Sequence, residues 1–139
     1  MPGPPMNEPA PARHILTILA VNDLDRSRAF YDAAFGWAIA VEVPVYVEYM
    51  LPGGMLFGLY QREGFARNTG IAPATLPAGS ITGTEIYLRV EDLPGAVARL
   101  RQAGARLLAP AAPRDWGDEA AYFADPEGNV LVVARPISA

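Results

Sequence analysis

The 139-residue chain has no cysteine, no lysine and one histidine, His14. Without cysteine there is no disulfide framework, no thiolate nucleophile and no thiolate metal site. All 11 basic residues are arginine, which excludes Schiff-base and lysine-base chemistry. A Ser-His-Asp arrangement would have to recruit His14, next to a proline-rich stretch, and there is no GxSxG elbow or glycine-rich phosphate loop. No apolar run approaches the roughly 20 residues that span a bilayer as a helix. Positive charge is scarce too. The net charge is -4 and the pI about 4.9, which disfavours nucleic acid or an anionic membrane as partner.

What is present suits one globular domain. Apolar residues make up 51% of the chain and charged residues 19%, enough apolar material for a core at this length. Five prolines fall within the first 11 residues. Residues 1–13 therefore read as an extended, disordered arm rather than a signal peptide, and the protein as soluble and cytoplasmic.

The chain repeats itself. Val21-Asn22-Asp23-Leu24 returns 69 residues on as Val90-Glu91-Asp92-Leu93, and Pro52-Gly53-Gly54 returns 74 residues on as Pro126-Glu127-Gly128. Each unit reads as a strand, a helix and further strands. Ile15–Val21 and Glu85–Val90 are β-rich. Asp23 or Asp25 can cap the first helix, with Ala29, Phe30, Ala33 and Ala34 as its buried stripe. Asp92 or Leu93, followed by Pro94, starts the second, whose buried stripe is Leu93, Ala96, Val97 and Leu100. Strands are expected at 38–43, 45–51 and 55–60, then at 106–108, 119–124 and 130–135. Arg62–Gly83 is a long connection without clear periodicity, of the kind that serves as linker or lid.

Val21-x-Asp23-Leu24, then Ser27-Arg28-Ala29-Phe30-Tyr31 and Phe35-Gly36, resemble the first-module pattern of the glyoxalase/bleomycin-resistance/extradiol-dioxygenase (vicinal oxygen chelate) superfamily. Asp125-Pro126-Glu127-Gly128-Asn129 resembles the turn that closes its second module. The resemblance implies an α+β fold: two tandem β-α-β-β-β modules forming a cup-shaped mixed sheet within residues 14–136. Module 1 covers about 14–61, the connection about 62–83, and module 2 about 84–136. It also implies four metal-ligand positions. In this chain they are Leu16, Gly58, Glu85 and Val132, and only one can coordinate. A catalytic divalent ion usually needs three or more N, O or S ligands, so no metal and no other cofactor is expected.

Strand alternation assigns faces. Ile86, Leu88 and Val90 should pack beneath the helices, leaving Glu85, Tyr87 and Arg89 in the cup. Opposite them stand Leu16, Ile18 and Ala20, with Leu56, Gly58 and Tyr60 on the fourth strand and Val130 and Val132 on the last. A mostly apolar pocket with a few polar groups suits a small molecule. Glu85 reads either as a solvated charge or as a carboxylate that binds a ligand donor or acts as a base. Tyr87 reads as packing aromatic or contact, and Arg89 as rim charge or anion clamp. Trp116, on the loop Pro113–Asp118, is a lid or an anchor. Glu85 and Arg89 are ~13 Å apart along the strand, too far for a direct pair. Tyr46, Tyr49 and Tyr122 line the cup or pack on the sheet, and Trp37 belongs to the core.

The expected function is metal-free binding of a small, largely apolar or aromatic molecule by a homodimer, with Glu85, Tyr87, Arg89, Tyr60, Trp116, Leu16, Ile18, Leu56 and Val132 as ligand-binding residues. The alternative is a glyoxalase-like lyase, isomerase or epimerase that uses Glu85 as its catalytic residue, with or without a metal. A dimer serving only as an interaction module is the third class. The sequence leaves open whether the cup forms within one chain or between two.

Overall fold

The computed structural model describes Gly3 and residues 8–137. Residues 1, 2 and 4–7 of the expected arm lie outside the described residues, while 8–13 are exposed and without regular structure. The first module runs β1 (Leu16–Val21), α1 (Leu24–Ala34), β2 (Ala38–Val43), β3 (Tyr46–Met50) and β4 (Leu56–Gln61). A short helix, α2 (Arg62–Thr69), follows. The second module runs β5 (Glu85–Arg89), α3 (Leu93–Gln102), β6 (Arg106–Pro113), β7 (Asp118–Ala124) and β8 (Val130–Pro136). Each module folds into a four-stranded mixed sheet, ordered β1-β4-β3-β2 and β5-β8-β7-β6, with the first pair in each parallel. This is the duplicated β-α-β-β-β architecture that the repeat implies.

The helix starts are built as the sequence suggests. Asp23 accepts the Arg26 N–H at 3.1 Å, and Asp92 accepts the Gly95 N–H at 3.0 Å. The buried face of α1 differs from the alanine stripe. Leu24, Ser27, Phe30, Tyr31 and Ala34 are buried, whereas Ala29 and Ala33 are exposed. Rotating the helix this way keeps Phe30 buried and adds the Tyr31 ring and Leu24 in place of two methyl groups, a gain in apolar area.

Two further elements depart from expectation. The connection contains α2, whose residues REGFARNT show almost no apolar stripe. Without one, the 3.6-residue period gives no signal. It is held instead by packing of Gly64 against the Tyr60 ring, where a Cβ would collide, and it ends at Gly70 with φ +78°. Strand β6 extends to Pro113, well past Leu108, through two register shifts. It is an edge strand, where the missing proline N–H is tolerated.

One apolar core joins the modules. Leu19, Val21, Phe30, Tyr31, Tyr49, Phe57 and Leu59 meet Leu93, Leu100, Phe123, Leu131 and Val133 in a single cluster, and α1 packs against α3. Trp37 stacks on Phe35 at 4.3 Å beside this core. The helix-bearing faces of both sheets therefore converge on shared apolar packing, and their other faces look outward.

Candidate functional site

Both outward faces can be mapped by strand register. On the second sheet, Glu85 aligns with Val130, Tyr87 with Val132, and Arg89 with Ala134; β7 adds Ala124, Tyr122 and Ala120 to the same rows. Ile86, Leu88 and Val90 pack on the core, so the alternation expected for β5 holds. On the first sheet the rows are Leu16–Leu56–Met50, Ile18–Gly58–Glu48 and Ala20–Tyr60–Tyr46.

The polar groups of the second face form a chain. The Trp116 indole N–H donates to the Tyr87 hydroxyl at 2.8 Å, and that hydroxyl donates to Asp118 Oδ2 at 2.5 Å. Arg89 donates to the same oxygen at 3.2 Å. Asp118 is buried, Tyr87 is 38% exposed and Trp116 57% exposed. Desolvation, then the hydrogen bond to Asp118, raises the Tyr87 pKa, and the Trp116 N–H partly opposes this. Tyr87 is thus a protonated donor at neutral pH. Arg89 is paired rather than free, and Trp116 is tied to the sheet while keeping an exposed ring. Arg114 lies alongside, 4.9 Å over the Tyr122 ring, and donates to the Ala120 carbonyl at 3.0 Å.

Glu85 stands apart from this chain. It is exposed and accepts no hydrogen bond among the described residues. Val132 is fully buried between Tyr87 and Tyr122 in register, in a small cluster with Ala120, Val130 and Ala134. It offers no surface to a ligand, contrary to its place in the expected lining. Leu16, Ile18, Leu56 and Tyr60 are half-buried on the other open face.

That face is less uniformly apolar than the sequence reading made it. Tyr46 and Glu48 both belong to it, and the Tyr46 hydroxyl donates to Glu48 Oε1 at 2.6 Å. The Tyr46 ring lies on Gly58, so close that any side chain there would strike its ring edge and hydroxyl, and it packs edge-to-face on Tyr60 at 5.2 Å. Burial, then the bond to Glu48, pushes the Tyr46 pKa well above the ordinary phenol range. Tyr49, by contrast, is fully buried on the core side and donates to Asp32 at 2.8 Å. A recess of about 410 Å³ lies away from the Tyr87–Asp118 pair. It borders the first face at Ile18 and Ala20, and Arg62, Leu76, Thr82 and Glu127 complete its rim.

The metal positions that the resemblance implies do not fit an ion. Leu16 is an apolar side chain, Tyr46 occupies the space over Gly58, and Val132 is buried, leaving Glu85 alone. Among the described residues, no three His, Asp or Glu side chains are grouped to hold one.

Sequence reasoning missed Asp118, Glu48 and Arg114. Counting back in twos from Tyr122 reaches Asp118, and counting from buried Val47 and Tyr49 places Glu48 outward, so alternation carried both signals. Arg114 sits in a turn, where alternation does not apply.

The model of the glyoxalase-like domain matches residues 14–138. The chain belongs to this family. With it the chain joins the vicinal oxygen chelate superfamily, as the repeat motifs suggested. Solved structures agree on the fold. A glyoxalase-related enzyme from Fulvimarina pelagi is 25% identical, with a TM-score of 0.78 over 91% of this chain and 93% of that one. A glyoxalase/bleomycin resistance protein/dioxygenase from Nocardioides is 22% identical, TM-score 0.79, over 96% and 89%. A lactoylglutathione lyase from Agrobacterium tumefaciens is 21% identical, TM-score 0.67, over 91% and 95%. No curated protein matches the chain. Among the described residues, no helix of this glyoxalase-like domain is long and apolar enough to cross a membrane.

Proposed function

We propose that this glyoxalase-like chain is a metal-free, cytoplasmic protein that binds a small, largely apolar or aromatic molecule on its open sheet faces, as a homodimer. The observation that carries this reading is the Trp116–Tyr87–Asp118–Arg89 chain. It holds an exposed indole and a phenol at fixed positions on an open sheet face, aromatic surface with a few polar groups of the kind that takes a small molecule. Tyr60, Leu16, Ile18 and Leu56 supply the apolar surface of the other half. Glu85, with no partner among the described residues, is the acceptor for a ligand donor. The lyase or isomerase alternative gains no support from its surroundings, since among the described residues no neighbouring group holds Glu85 as a base.

Glu85→Gln tests the assignment. An exposed, unpartnered residue should change stability by no more than about 0.5 kcal/mol. Loss of a hydrogen bond to a charged group should weaken ligand binding by about 1.5–3 kcal/mol. Calorimetric titration of a screened ligand into both proteins reads the difference, and equal affinities would return Glu85 to the role of a solvated charge.

A further inference from the structure

The open face of the first sheet has one charged residue in its mapped rows, and it stands in the middle. Glu48 aligns with Gly58 and, beyond it, Ile18 on one side and with Val41 on the other. Around it lie Leu16, Leu56, Met50 and Tyr60. Tyr46 engages Oε1, while Oε2 has no partner among the described residues. No arginine lies in these rows, and Arg28 on α1 is paired with Glu42 and Asp32. A half-buried carboxylate on apolar ground is incompletely solvated and gains from a cation delivered to it. The faces of Tyr46 and Tyr60 add attraction for positive charge. The second sheet gives no competing anion clamp, since Arg89 is paired with Asp118.

We infer that Glu48, steadied by Tyr46, receives a protonated amine carried by an aromatic or apolar ligand lying on the first sheet. This rests on the proposed function and narrows its ligand class to organic cations. Met50, Val41 and Val43, each at least two-fifths exposed, offer the surface on which the ligand's apolar part would lie.

The test compares 9-aminoacridine, a planar cation, with acridine, its neutral counterpart at mildly alkaline pH, on the full-length protein by fluorescence titration. Wild type should bind the cation about tenfold tighter or more, and Glu48→Gln should reduce the preference to about twofold or less, the consequence of losing a charge-assisted hydrogen bond. Tyr46→Phe keeps the charge and should keep the preference. If Glu48→Gln fails to fold, a salt titration of wild type replaces it: only cation binding should weaken as ionic strength rises. Equal binding of the two probes, or an unchanged preference in Glu48→Gln, overturns the inference and leaves the proposed function standing. If neither probe binds while a wider screen finds another ligand, only the inference falls. If no small molecule binds, both fall.

Discussion

Tyr31 is fully buried in the core, yet its hydroxyl reaches across the module boundary to Asp125 at 2.6 Å. Asp125 is buried as well and gathers the N–H groups of Glu127 and Asn129 at 2.9 and 2.8 Å and the Asn129 amide at 3.1 Å. Tyr31→Phe keeps the packing and removes one donor from a buried carboxylate. It should cost about 1.5–3 kcal/mol in chemical denaturation and leave ligand affinity unchanged. A loss under about 0.5 kcal/mol would show that the other donors suffice. The sequence reading placed Tyr31 in a motif without giving it a role, because its partner lies 94 residues away. Glu85, Tyr87 and Arg89 could be assigned to a face because an apolar residue alternates with each of them. Their partners could not be read, since pairing depends on how the turn before β7 brings Trp116 and Asp118 back over the sheet.

The same long-range logic governs the elements. The Glu127 carboxylate accepts the N–H groups of Asn22 and Asp23 at 3.0 and 3.2 Å. The closing turn of the second module thus satisfies donors at the entrance to α1, where negative charge also complements the helix dipole. Glu127→Ala should destabilise the chain by about 0.5–2 kcal/mol, the range for losing a helix cap. Thermal melts would check this, and a stability within about 0.3 kcal/mol of wild type would contradict it. The turn also fastens the connection: Thr82 N–H donates to the Gly128 carbonyl at 2.7 Å, and Gly128, at φ +86°, sits where a Cβ would strike the Ser80 carbonyl. Repeats and caps made the two modules readable in sequence. Helix α2 and the far end of β6 were not, because the first lacks an apolar stripe and the second crosses prolines at a sheet edge.

The whole molecule turns both helix-bearing faces inward and both open faces outward. The polar chain of the second sheet and the Tyr46–Glu48 pair of the first therefore lie on separate open faces within one chain. Strand β2 is exposed along its length, with Ile39, Val41 and Val43 all open to solvent. Such an edge invites a partner, and two-fold pairing is the common solution. Sedimentation at micromolar concentration should find a dimer; a monomer alone would contradict the assembly we propose. The metal-independence of binding is tested by one thermal-shift screen of small apolar and aromatic molecules, run in parallel with a chelator and with added divalent ions. A ligand present at 100 times its Kd stabilises the folded state by about 2.7 kcal/mol. We predict at least one molecule that raises Tm equally in both conditions; stabilisation that appears only when the divalent ion is present would contradict the metal-free reading.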